Sequence, residues 1–444
     1  MAGYGPASLN NLQDRYLNDA HKYDAHFIVA MVEGASTVVS ALGIWPVVMR
    51  SQHSSGTGSL RERARMILAP ETPRAMMAKH DAAGYSSPCS SQFSPEEMHA
   101  KLHHENNFDY IRLFAALQVL IFHSIYHLGI ESPFWTNILS PFAGVPIFFV
   151  TSGFLITASY ERKPTLLSYA HNRVLRIFPG LWACLAVTAA VVLYLGYEVW
   201  SVAGVQWFVL QLCAVIYTPK FLSGFGFGSY NGSLWTIPVE LQFYATVPVL
   251  SYVVARTRRK DLTLAVALVF FLGLAVIIRG IAPSVMGIYD TTETLAGKLL
   301  RYCFFSHYYL FLIGALCWYL RLETTKILAG AAWAWLIVLA ATHVVFRDAT
   351  PIAVVVRQGV LAMFTLAVAH SYVRVNLLRG QDISYGVYLY HGLILNLVIE
   401  FGGGGDARWL YGVLGASLVA GWLSWALVEK RMRSRKFREG FRHA

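Results

Sequence analysis

The chain has 444 residues, of which 56% are hydrophobic and only 14% charged, where ordinary soluble domains carry about 25% charge. That excludes a large soluble core and marks an all-α, polytopic membrane protein. The formal charge of +11 does not read as nucleic-acid binding, because the basic residues cluster at the ends of apolar runs, the pattern of membrane topology.

Residues 1–107 form an N-terminal extension with polar, Ser-rich stretches such as "SQHSSGTGSLRERAR", which reads as loosely ordered. Within it, 27–49 is apolar and long enough to span, but Glu33 near its middle would cost about 2.5–3.5 kcal/mol. An extra membrane helix, an interfacial helix and residues upstream of the true start codon all stay open for it. The pattern of a clean signal peptide is missing.

From residue 108 the chain divides into runs of the roughly 20 apolar residues that cross a bilayer. Ten are expected, near 108–129, 138–159, 179–198, 234–254, 261–281, 300–320, 326–346, 351–372, 383–400 and 409–429. They make a membrane domain over 108–430, followed by a basic tail, 431–444. An eleventh run, 203–217, carries Gln206 and Gln211. Counting it as a crossing would put "RTRRK" outside the cell, against the positive-inside bias, so it is expected to be interfacial or re-entrant. With the first span starting in the cytoplasm, the C-terminus is cytoplasmic as well. The five cysteines show no paired spacing, which supports neither a disulfide nor a metal site.

The first span, "FDYIRLFAALQVLIFHS", carries Arg112 and His123. Eleven positions are three turns of helix. Both side chains therefore share one face, roughly 16 Å apart along the axis. Asp109 stands at i−3 from Arg112, where it can pair with it. His123 falls near mid-membrane, where ionisable groups are rare and usually functional; an imidazole held neutral there can accept a proton. A histidine merely bonded to a neighbouring helix is the plain alternative. His127 follows on the same face.

After the second span, "RKPTLLSYAHNRVLRIFPG" sets Arg173 and Arg176 on one side of a short helix, expected to end at Pro179. Two guanidinium forks at a membrane surface suit a phosphate, although ordinary positive-inside charge explains them too. "NGSLWTIPVELQFY" places Glu240 about six residues into its span, beside Trp235 and Tyr244. A carboxylate there can hold sugar hydroxyls or orient an acceptor; equally, it can be a structural partner of an arginine such as Arg357. In "PIFFVTSGFLITASY", Ser152 and Gly153 read as close-packing residues. "ISYGVYLYHGLIL" adds Ser384, Tyr385 and a second intramembrane histidine, His391.

Taken together, Asp109 with Arg112 and His123 (the last two with ten residues between them), "FFVTSGFLIT", "RVLRIFP", "SLWTIPVELQFY" and "ISYGVYLYH" resemble the acyltransferase-3 family of integral membrane O-acyltransferases. Members acylate bacterial surface polysaccharides, lipopolysaccharide and some glycosylated antibiotics. Leu113, where a glycine is common, and Arg431, where many members have proline, depart from the family without touching the proposed chemistry. The resemblance implies a catalytic His123 with Glu240 on the acceptor side. It also implies that Arg112, Arg173 and Arg176 bind an acyl-CoA co-substrate, acetyl-CoA in the first instance, with no metal. Asp109, Trp235, Tyr244 and His391 are expected to line the substrate path. The implied partners are a carbohydrate acceptor, the acyl-CoA donor, membrane lipid and the machinery of surface-glycan assembly, with no nucleic acid. The implied location is the cytoplasmic membrane. A proton-coupled transporter of a sugar or an acylated product stays open, as does a non-catalytic scaffold.

Overall fold

A computed structural model describes residues 107–286, 295–371 and 381–432. The N-terminal extension up to residue 106, with its candidate helix at 27–49, and the tail from 433 lie outside the described residues. The described chain is helical, with no strand among the described residues. Its longer helices are α1 (Phe108–Leu128), α2 (Gly144–Arg162), α3 (Leu166–Tyr194), α4 (Val202–Leu212), α5 (Thr236–Arg256), α6 (Lys260–Ile281), α7 (Tyr308–Leu320), α8 (Ala332–Val345), α9 (Pro351–Ala369), α10 (Ser384–Glu400) and α11 (Arg408–Ser424).

Seven helices among the described residues are long and apolar enough to cross a membrane. Each of the ten expected runs overlaps a helix, but three of those helices are short and the expected count of ten crossings is not reached among the described residues. The run 300–320 is broken: a short helix, Leu295–Tyr302, is followed by a turn, and only then by the 13 residues of α7. The side chain of Gln242 on α5 stabilises that break. Its Nε2 donates to Tyr302 O and its Oε1 accepts from Phe304 N, so one amide substitutes for two helical bonds. The run 326–346 delivers a helix of 14 residues, because Thr325–Ala331 is taken up by turns. Helix α10 has 17 residues and carries the buried polar residues His391 and Asn396.

Helix α3 corrects another expectation. It does not end at Pro179 but runs through it for 29 residues. Proline is tolerated inside membrane helices, and this one interrupts neither the helix nor its packing on α10, where the Tyr385 hydroxyl donates to Ile177 O at 2.7 Å. Arg173 and Arg176 therefore sit on the same continuous helix as the apolar run. Helix α4 has 11 residues, about 16 Å, too short to cross. Its Gln211 is buried, donating to Tyr217 O and accepting from the Tyr230 hydroxyl.

Helix α2 lies at the centre and packs against α1, α5, α7 and α9. Gly153 makes the α2–α7 contact possible, because a Cβ there would collide with the backbone of Phe311. That bears out close packing at this position. Helix α6 shows the opposite character: Val266, Val269, Phe270 and Ile277 are exposed, an apolar face suited to lipid. Helix α10 packs against α1, α3, α11 and the short helix Gly232–Trp235. Those neighbours bring widely separated motifs to one place.

Candidate active site

Two polar layers occupy opposite ends of the same face of α1. At one end His123 Nδ1 lies 3.3 Å from His391 Nε2. The Ser233 hydroxyl sits between them, 3.0 Å from His123 Nδ1 and 2.8 Å from His391 Nε2. His391 is fully buried, and its Nδ1 is 2.8 Å from Tyr388 O. His123 Nε2 has no hydrogen bond among the described residues and the ring is half-buried. His127 stacks on Phe227, with ring centroids 3.8 Å apart, and meets His123 edge-on at 6.0 Å.

The short helix Gly232–Trp235 is pinned to α10 at several points. Asn231 Nδ2 donates to Leu389 O at 2.8 Å, and the Tyr388 hydroxyl donates to Ser233 O at 2.6 Å. The Thr236 hydroxyl is 2.8 Å from the Tyr388 hydroxyl. Gly392 allows this approach, since a Cβ there would strike the Asn231 amide. The serine between the two imidazoles is thus held by backbone contacts and cannot drift with a loop.

At the other end Arg112 Nη1 is 3.2 Å from Asp382 Oδ2, and Arg176 donates to the same oxygen. Ser384 donates to Asp382 Oδ1. Burial pushes the Asp382 carboxyl up, but the Arg112 and Arg176 guanidiniums outweigh it and hold the group well below the usual carboxylate range. Arg176 lies over the Tyr385 ring at 6.0 Å. Arg173 lies over both Tyr169 and Tyr244 at 5.7 Å and donates to the Ser159 hydroxyl at 3.3 Å. Two donors in this layer, Arg173 Nε and Arg176 Nη1, are buried with no hydrogen-bond partner among the described residues. Such groups are rare and call for a reason.

Glu240 belongs between these layers. Its Oε1 accepts from the Ser152 hydroxyl at 2.9 Å and the Tyr244 hydroxyl at 2.6 Å. The Tyr169 hydroxyl in turn donates to Tyr244 O at 2.9 Å. Glu240 is therefore tied toward Arg173, and no hydrogen bond joins it to His123 or His391. The alternative pairing with Arg357 is not found, since Arg357 donates to Phe346 O. Trp235 packs among Phe149 at 6.5 Å, His307 at 5.5 Å and Tyr302 at 6.1 Å. Asp109 lies in the first turn of α1, while the ion pair of Arg112 is to Asp382.

The sequence reading thus named both histidines and all three arginines but missed Ser233, Asp382 and the Glu240 contact of Ser152. A signal existed for each of the first two. Ser233 opens "SLWTIPVELQFY", and Asp382 immediately precedes "ISYGVYLYH". Two arginines near apolar runs also call for a carboxylate.

A family model described as an acyltransferase domain matches residues 105–429. The chain belongs to this acyltransferase family. Nodulation protein 10 of Rhizobium leguminosarum bv. viciae is 35% identical over 355 residues, covering 74% of this chain and 93% of that protein. An O-acetyl transferase of Shigella phage Sf6 is 30% identical over 155 residues, 32% of this chain and 45% of that one. The O-acetyltransferase OatA of Staphylococcus aureus is 27% identical over 210 residues, 44% of this chain and 33% of that one. No solved structure matches the chain. Apolar helices and family together make this acyltransferase a multi-pass membrane enzyme that transfers acyl groups to oxygen. Both layers and the intervening Glu240 lie inside the matched region.

Proposed function

We propose that the enzyme takes an acyl group, in the first instance acetyl, from cytoplasmic acyl-CoA. It passes that group to a hydroxyl of an extracytoplasmic carbohydrate, such as a surface-polysaccharide or lipopolysaccharide sugar. The observation that carries the reading is the polarity of one helix face: a guanidinium cluster at one end, paired imidazoles three turns away. Coenzyme A has the same layout, with phosphates at one end, a long thin arm, and the thioester at the other. Arg112, Arg173 and Arg176 hold the phosphates; the unpartnered buried donors of Arg173 and Arg176 support an anion there. Asp382 fixes Arg112 and Arg176 in place.

The arm then passes Glu240 and Tyr244 and presents the thioester carbonyl to His123. The acceptor hydroxyl enters from the far side, past Trp235. His123 takes the hydroxyl proton as the oxygen attacks the carbonyl. The thiolate leaves and recovers that proton, which returns the imidazole to its starting state. General-base catalysis of this kind contributes about 10²–10⁴-fold. The relatives named O-acetyltransferases support acetyl as the group moved. Purified protein in nanodiscs, given labelled acetyl-CoA and a soluble sugar acceptor, should release thiol and form the sugar ester in a His123-dependent way. Movement of sugar across the bilayer without thiol release would replace this reading with the transporter.

A further inference from the structure

We infer that His391 and Ser233 are positioning residues that fix the proton of His123 on Nδ1, so that Nε2 is the atom that acts as base. The inference rests on the general-base reading of His123 and specifies it. Tyr388 O can only accept, so His391 Nδ1, 2.8 Å away, must carry a hydrogen. In the neutral ring its Nε2 is then a lone pair.

That lone pair faces two groups, the Ser233 hydroxyl at 2.8 Å and His123 Nδ1 at 3.3 Å. If His123 Nδ1 were also a lone pair, two acceptors would confront each other at 3.3 Å with one hydroxyl hydrogen between them. With the hydrogen on His123 Nδ1, every atom finds a partner. His123 Nδ1 donates to Ser233 Oγ, Ser233 donates to His391 Nε2, and His391 donates to Tyr388 O. A direct bond from His123 to His391 demands the same hydrogen. Both routes leave the lone pair of His123 on Nε2, the nitrogen without a hydrogen bond among the described residues. A proton taken there gives an imidazolium whose Nδ1–H is already bonded. Returning the same proton to the thiolate restores the starting tautomer, so no proton is gained or lost by the chain.

The arrangement is costly to build for packing alone. It buries one histidine completely and holds the serine by the Tyr388 hydroxyl and the Asn231 anchor.

The test uses full-length protein in nanodiscs with acetyl-CoA and the sugar acceptor. His391→Leu removes the acceptor and should lower kcat about 100-fold, since a mis-set tautomer in a catalytic histidine costs as much as about 10⁴-fold. KM for acetyl-CoA should change less than about threefold, because the ground-state contacts of the donor are untouched. His391→Gln, whose amide oxygen can accept from Ser233, should recover most of the loss. Ser233→Ala should cost about tenfold, and adding it to His391→Leu should cost little more. ¹⁵N-histidine NMR of wild-type protein should show His123 as the Nδ1–H form, whether or not a variant folds. Wild-type protein showing the Nε2–H form, or well-folded His391→Leu with unchanged kcat, overturns the inference. If His123→Ala is dead while those results appear, the inference alone fails; if His123→Ala keeps full activity, the general-base reading fails first.

Discussion

The two ends of the α1 face solve the problem of polarity inside a membrane in different ways. At the arginine end, charge is met by charge: Asp382 takes both Arg112 and Arg176, and Ser384 takes its other oxygen. At the histidine end the contacts run from ring to hydroxyl to ring to carbonyl, with no carboxylate or guanidinium among them. A buried ion pair is stable only while both partners stay, so the first layer suits holding an anion in a set place. A chain of rings, hydroxyl and carbonyl can take up a proton at one imidazole and give it back without breaking an ion pair, so the second suits chemistry. Glu240 stands between and is tied to the first layer through Tyr244 and Tyr169.

Substitutions should separate the layers. The largest effect on turnover is expected for His123→Gln, a loss of about 10³-fold in kcat with donor binding retained; steady-state kinetics with acetyl-CoA would check both halves. Asp382→Asn should act on stability instead. Two neighbouring guanidiniums would lose their carboxylate, at a cost of about 3 kcal/mol, seen as a lower Tm in detergent. Because the folded pKa of Asp382 lies below its unfolded value, near 3.9, its contribution is fully present above about pH 4 to 5 and is lost only as pH falls toward the folded value. Melting curves from pH 8 to 5 should therefore show a constant gap between wild type and Asp382→Asn. Arg173→Ala should raise KM for acetyl-CoA about tenfold with kcat nearly unchanged, the signature of lost ground-state binding. Glu240→Gln, which keeps the shape and loses the charge, should change both constants by only a few fold. A large kcat loss with unchanged KM would move Glu240 into the chemistry of the histidine end.

The sequence carried the class of fold and the ends of most helices, because long apolar runs leave little choice in a bilayer. It also carried Arg112 and His123 as residues of one face, because helical periodicity is local. Contacts between distant segments were not legible. Ser233 meets His123 from 110 residues away, and Asp382 meets Arg176 from 206; no spacing rule encodes such pairs. The break before α7 was hidden for the same reason, since the group that stabilises it, Gln242, lies 62 residues earlier than Phe304. The passage of α3 through Pro179 was not legible either, because a proline inside a membrane helix does not by itself mark the helix end.

The claim that donor binding and chemistry reside in separate layers can be tested with His123→Gln in nanodiscs, by titrating acetyl-CoA while following both bound donor and released thiol. The account predicts donor affinity within about twofold of wild type and thiol release reduced about 10³-fold. Thiol release at the wild-type rate, or loss of donor binding together with turnover, would contradict it.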